Sequence, residues 1–322
     1  MNNSYTKMRY FKAYVLYVFP LVISDLNGFS LDDFPQDCGK TRYADDDKAA
    51  GIINVTHAKL GEFPWIARIG VHDFKSKFFY CSGSLIHPSY VLTAAHCGQQ
   101  SNIVRLGDNN LNNEKDCQGN KCAPPYQDID IDTHLFSAHC RVTNVNDMSI
   151  LSLKKPATIN EFVRPICVPR ETLTLDYLRK QSITTVGWGV TYSGWGVVDS
   201  SKFRKERDLQ YVEAPIVDRD ECNKNYIRKL NENELCVGYP ECVDDPCVGD
   251  SGGPLMVSMK TNENPVMRKY IVGVASHNLQ LCQKGEGSPV MYTDVSSFVD
   301  WMVDKIDLDI SSKSKSKSAK QR

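Results

Sequence analysis

The chain lacks an excess of charge of either sign: Lys and Arg number 38 against 39 Asp and Glu, a net charge of −1. It therefore offers no electrostatic case for a nucleic-acid partner, which would need a basic face. Beyond residue 23 it lacks any apolar run long enough to cross a bilayer, so no membrane span is expected. Its 41% hydrophobic and 24% charged residues are globular values, which exclude collagen-like, coiled-coil and wholly disordered classes. Cysteine, by contrast, is abundant. Twelve cysteines spread over 322 residues point to an oxidising compartment, and the length suits one large domain or two ordinary ones.

The N-terminus points to the same compartment. Lys7, Arg9 and Lys12 precede an apolar run from Ala13 to Ile23, and small or polar residues follow from Ser24 to Gly28. This is the shape of a secretory signal peptide over residues 1–28, too short to span a bilayer comfortably. Residues 29–51 are polar and acidic, with Asp45-Asp46-Asp47-Lys48, and read as an exposed linker or propeptide.

From Ile52 the chain breaks into short apolar segments rich in β-branched and aromatic residues. Residues 65–69, 78–81, 90–92, 103–106, 183–186 and 270–274 read as strands of a mainly β domain. Val295, Phe298, Val299, Met302 and Ile306 recur at helical spacing behind Asp294, a candidate N-cap. The domain is expected over residues 52–306. Residues 307–322, ending in alternating Lys and Ser, are expected to form a basic, disordered tail.

Gly249-Asp250-Ser251-Gly252-Gly253-Pro254 carries the chemistry. A nucleophilic serine needs an exposed hydroxyl, glycines that admit a substrate carbonyl, and N–H groups aimed at the developing oxyanion. Upstream, Thr93-Ala94-Ala95-His96-Cys97 supplies an imidazole base, and Asn146-Asp147-Met148-Ser149-Ile150-Leu151 a carboxylate entering an apolar strand. These three motifs in this order resemble the trypsin/chymotrypsin family of serine proteases. The resemblance implies two six-stranded antiparallel β-barrels, a C-terminal helix, and a cleft between the barrels. It makes Ser251 the nucleophile, His96 the general base and acid, and Asp147 the group that orients the imidazole. Gly249 and Ser251 would supply the oxyanion-hole N–H groups. No cofactor is expected. His134, His139 and Cys140 lie close in sequence but without a fourth ligand at zinc spacing, so no metal is expected. His57, His72, His87 and His277 read as structural.

The same resemblance implies a disulfide framework. It pairs Cys81 with Cys97, Cys222 with Cys236, and Cys247 with Cys282. Cys38 and Cys167 resemble the link that keeps a propeptide attached. Cys117 and Cys122 resemble a loop bridge of arthropod clip-domain proteases. A clip domain itself is not expected, since one cysteine precedes Ile52. Cys140 and Cys242 remain, a pair by elimination.

Two features depart from the pattern. Asp245 stands where trypsin-like members place the carboxylate of the primary pocket, favouring Arg or Lys substrates. Yet Asn278 and Val290 replace the family's wall glycines and should narrow that pocket. Activation should free Ile52 to pair with Asp250, but Gly51 replaces the expected basic residue before the cut. A cut at Lys48 would leave three extra residues, roughly 10 Å of chain. Asn54-Val55-Thr56 is a glycosylation sequon beside that terminus.

Two functional readings follow. One is a secreted serine endopeptidase made as a zymogen, with a protein or peptide substrate, an activating protease and serpin-type inhibitors as partners. The alternative is a secreted protease homologue that binds or acts as a cofactor protein with little activity.

Overall fold

The computed structural model describes residues 28–43, 56–137, 145–188, 208–224, 228–238, 251–261, 265–277 and 289–320. In its first half the strands are β1 (Thr56–His57), β2 (Ile66–His72), β3 (Lys77–His87), β4 (Tyr90–Thr93), β5 (Ile103–Leu106), β6 (Cys117–Gln118), β7 (Lys121–Cys122), β8 (Gln127–Phe136) and β9 (Ser149–Leu153). In the second half they are β10 (Ile183–Gly187), β11 (Gln210–Glu213), β12 (Ile216–Val217), β13 (Glu234–Val237), β14 (Pro254–Met259), β15 (Arg268–His277) and β16 (Val290–Asp294). The four α-helices among the described residues are α1 (Ala95–Gly98), α2 (Leu175–Leu178), α3 (Arg219–Asn223) and α4 (Val299–Lys320).

Strands β2-β3-β4-β9-β8-β5 close into an antiparallel barrel. Closure bends the strands at register shifts between Ile69 and Gly70, Leu85 and His87, and Ile131 and Thr133, because an extra residue on one strand kinks it and increases its twist. Strands β1-β11-β10-β14-β15-β16-β13-β12 form the second sheet. The β4 and β9 strands are buried on both faces, which explains why they carry no charged residue and only small hydroxyls among their apolar ones. Trp65, fully buried on the first barrel, donates its indole N–H to Met256 Sδ of β14 at 3.1 Å and so joins the two halves.

Asp294 caps the C-terminal helical region, its carboxylate accepting from Ser296 N at 2.9 Å. One turn of 3-10 helix, Val295–Phe298, leads into α4. The expected disordered tail does not follow. Helix α4 continues through the described residues to Lys320. Serine is a poor helix former, and the reason for the extension is tertiary. Asp309, only 4% exposed, accepts from Tyr90 Oη at 3.0 Å and Ser152 Oγ at 2.8 Å. Lys313 bridges Asp309 and Asp132, each at 2.9 Å. The helix is thus pinned to β4, β8 and β9.

Residues 28–43 are likewise not an exposed linker. Phe34 and Cys38 are buried, and Cys38 is bridged to Cys167. Gly39 exchanges backbone hydrogen bonds with Pro165 and Lys269. A disulfide, two buried side chains and two backbone hydrogen bonds outweigh the polar composition on which the linker expectation rested.

Candidate active site

His96 lies on α1, which starts where β4 ends at Thr93. Asp147 lies just before β9, and β4 and β9 are paired from Tyr90↔Ser152 to Thr93↔Ser149. The two segments therefore leave the barrel side by side. Asn146 adopts a left-handed backbone conformation, φ 56°, which asparagine tolerates better than most residues. The resulting turn is closed by Met148 N to Asn146 O at 2.8 Å.

That geometry brings Asp147 beneath the imidazole. Its Oδ2 accepts from His96 Nδ1 at 2.6 Å and its Oδ1 from the His96 backbone N–H at 3.0 Å. Ser276 Oγ donates to Oδ2 at 2.7 Å, and Thr293 Oγ1 donates to the Asp147 carbonyl at 3.3 Å. The Asp147 side chain is fully buried and the His96 side chain 27% exposed, so the imidazole has one end in the protein and the other towards solvent. Burial pushes the Asp147 carboxyl upward. The hydrogen bond and charge of His96, with the Ser276 hydroxyl, outweigh it and hold the group below the ordinary carboxylate value.

Ser251 is half-buried and docked on β3, Ser82 N donating to its carbonyl at 2.8 Å. Gly252 follows with φ 81°, a conformation that costs other residues about 1–2 kcal/mol. A side chain there would also place its Cβ 2.2 Å from Thr93 Oγ1 and 2.3 Å from the Ser82 carbonyl. Glycine thus lets the Ser251 turn close directly on the segment that carries His96. Gly252 N donates to Ala275 O at 2.7 Å, which ties the turn to the strand that carries Ser276.

Sequence reasoning gave Ser276 no role, whereas the structure makes it a third donor to Asp147. Its one signal in sequence is a hydroxyl closing an apolar strand. Val290 is half-buried at the start of β16, paired with Val237. Gly249, Asp250, Asp245, Asn278, Ile52 and Asn54 lie outside the described residues, as do His139, Cys140, Cys242, Cys247 and Cys282.

Four bridges lie within them: Cys38–Cys167, Cys81–Cys97, Cys117–Cys122 and Cys222–Cys236. Cys81 and Cys97 cluster with His96, but sulfurs joined to each other are not thiolate ligands. His134 is held structurally, its Nε2 2.9 Å from the Ser101 carbonyl and its ring stacked on Phe136. His72 pairs with Asp130 at 3.1 Å. No helix among the described residues is long and apolar enough to cross a membrane.

Comparison with known proteins agrees with this geometry. The Trypsin family model matches residues 52–302. CLIP domain-containing serine protease HP8 of Bombyx mori is 34% identical over 80% of this chain and 69% of its own length. Serine protease grass of Drosophila melanogaster is 31% identical over 79% of this chain and 67% of its own. The crystal structure of the Drosophila Grass clip serine protease of the Toll pathway superposes with a TM-score of 0.70 at 28% identity, covering 85% of this chain and 75% of that one. The chain belongs to the trypsin family of serine proteases.

Proposed function

We propose that the chain is a secreted serine endopeptidase, made as a zymogen, that hydrolyses peptide bonds through an acyl-enzyme on Ser251. The observation that carries this reading is the buried Asp147 carboxylate holding His96 at both Nδ1 and its backbone N–H. A proton fixed on Nδ1 leaves Nε2 as the base. His96 Nε2 takes the Ser251 proton as Oγ attacks the substrate carbonyl, then donates it to the departing amine. Water repeats the sequence on the ester. Gly249 and Ser251 N–H groups would hold the oxyanion, each donor contributing roughly 10²–10³ in rate.

Activation in this reading is a cut before Ile52, whose new ammonium pairs with Asp250. Gly51 calls for an activating protease that accepts small residues, and a glycan on Asn54 would hinder insertion. Asp245 draws a basic side chain into the primary pocket while Asn278 and Val290 restrict its access, so cleavage after Arg or Lys is weak. Serpin-type inhibitors that mimic the substrate would be natural regulators. The serine protease relatives favour an enzyme over a binding homologue.

The test is N-terminal sequencing of secreted material together with labelling by a serine-directed phosphonate. An Ile52 terminus and label on Ser251, lost in Ser251→Ala, supports the enzyme. An intact, unlabelled chain supports the homologue that binds without cutting.

A further inference from the structure

Phe29 joins the N-terminal segment to the C-terminal helix. Its backbone N–H donates to Asp307 Oδ1 at 2.8 Å, across 278 positions of sequence. Its ring is seated edge-on against Phe34 and His87, with centroids 5.2 and 6.1 Å apart. The residues after it are fastened too. Ser30 N and Oγ both donate to Asp33 Oδ2, at 2.7 and 2.9 Å, and Arg170 pairs with Asp32 at 2.6 Å.

The residue before it behaves differently. Gly28 is exposed. It is also crowded at Cα: a Cβ would lie 2.7 Å from Asp307 Oδ1. Anything larger than glycine at this position would press on the carboxylate that Phe29 uses. The bond between Gly28 and Phe29 therefore joins a crowded glycine to a residue whose ring is seated. It is also where the signal-peptide pattern of residues 1–28 ends, with the small residue Gly28 on the N-terminal side of the bond, although Leu26 stands two positions further back.

We propose that the chain is cut between Gly28 and Phe29 on secretion, and that Asp307 is the socket for the resulting Phe29 α-ammonium. The cut is a hydrolysis. The C–N bond breaks, water supplies the oxygen of the Gly28 carboxylate, and protons pass to the Phe29 nitrogen. A neutral N–H facing a carboxylate becomes a cation facing it, so a Coulombic pairing is added to a hydrogen bond that the carboxylate charge already assists. The new terminus faces Asp307 on α4, with Asp33 of the following turn and the His87 ring as its other titratable neighbours. A cut after Ser24 instead would carry the ammonium four residues away, roughly 13 Å of chain, and leave the socket to an amide. The inference rests on the secreted reading but not on catalysis.

The experiment has two arms. The full chain is expressed through a secretory pathway and its N-terminus sequenced; Phe29 is expected. A chain that stays uncut inside the cell overturns the secreted reading and the cut with it, whereas a secreted chain that starts elsewhere overturns the cut alone. In the second arm, acylation of the α-amine is timed at pH 7, where only its unprotonated form reacts. An opposite charge raises an α-amine above its ordinary value of about 7.7–8.0, and each pKa unit lowers the reactive fraction about tenfold. The protection is present below the ordinary value and disappears as pH rises through the raised one. Asp307→Asn should react roughly three- to tenfold faster than the wild type, and Asp307→Glu should restore protection. A chain that retains Asn27 and Gly28 ahead of Phe29 should react at the unprotected rate. Equal rates for wild type and Asp307→Asn, with unchanged circular dichroism, would overturn the socket.

Discussion

Asp147 holds His96 by two different handles, one carboxylate oxygen on the ring Nδ1 at 2.6 Å and the other on the backbone N–H at 3.0 Å. The backbone contact fixes where the residue sits, and the ring contact fixes which nitrogen carries the proton. Ser276 shares the ring-bonded oxygen, so three donors compete for one buried carboxylate.

Asp147→Asn keeps the shape but turns an acceptor into a mixed donor and acceptor, which favours the wrong imidazole tautomer. For the activated protein, kcat on a peptide ester should fall about 10³–10⁴-fold with KM little changed. Ser276→Ala removes one donor of three and should cost roughly tenfold or less. Steady-state kinetics decide it, and a drop below tenfold for Asp147→Asn would remove Asp147 from the catalytic set.

Gly252→Ala should destabilise the fold by about 2–4 kcal/mol, since backbone strain adds to a collision with Thr93 and the Ser82 carbonyl. Urea unfolding would measure this, and phosphonate labelling of Ser251 should be lost in the folded fraction. Wild-type stability and labelling would mean that the turn can shift without cost.

Asp309→Ala leaves the buried Tyr90 and Ser152 hydroxyls and the partly exposed Lys313 ammonium without their shared acceptor. Breaking a buried network at one member typically costs about 3–5 kcal/mol. A loss near the low end is expected because Lys313 retains Asp132. Far-ultraviolet circular dichroism should also show α4 shortened, and an unchanged spectrum and midpoint would argue against the anchor.

Acidity should act through Asp147. Its folded carboxyl lies below the ordinary value of about 3.9. The group therefore contributes stability above that value, and the contribution is lost as pH falls through the depressed one. The thermal midpoint of the wild type should fall more steeply than that of Asp147→Asn below about pH 4. Parallel pH profiles in calorimetry would contradict this.

In the proposed function, the primary pocket is a contest between charge and size. Replacing Asn278 and Val290 by glycine should raise cleavage after Arg, because a packed wall yields to a long side chain only at about 1–3 kcal/mol of strain. Adding Asp245→Ser to that variant should remove the gain. Full trypsin-like turnover by the Ile52-terminated wild type would show that the wall does not restrict access.

Some of this architecture is local and some is not. Residues 66–69 of the expected 65–69, with 103–106 and 183–186, are strands in the structure as their β-branched, apolar composition predicts, because pleated, half-buried positions select those residues directly. Asp294 caps the turn it precedes for a similarly local reason, a side-chain acceptor two residues from an unpaired N–H. The Lys-Ser repeat was misread because its helical anchor is remote. Nothing within residues 307–322 reveals that Asp309 meets Tyr90, 219 positions upstream. Ser276 was missed, since a hydroxyl becomes a donor to Asp147 only when two segments 129 positions apart converge.

The sequence by itself determined the chemical alphabet of this protein: the family, the mainly β fold, and the serine, histidine and aspartate motifs in their order. The strands and the reactive residues follow from short-range rules, in which periodicity sets strands and residue type sets reactivity, and the family from the resemblance that the three motifs carry. Tertiary structure alone decided that Asp147 lies under His96, that Gly252 closes on Thr93, and that both the N-terminal segment and the C-terminal helix are fastened to the body. Each of these rests on a hydrogen bond or a close approach between residues far apart in the chain, and such contacts leave no local pattern because either partner, taken alone, would be equally content in water.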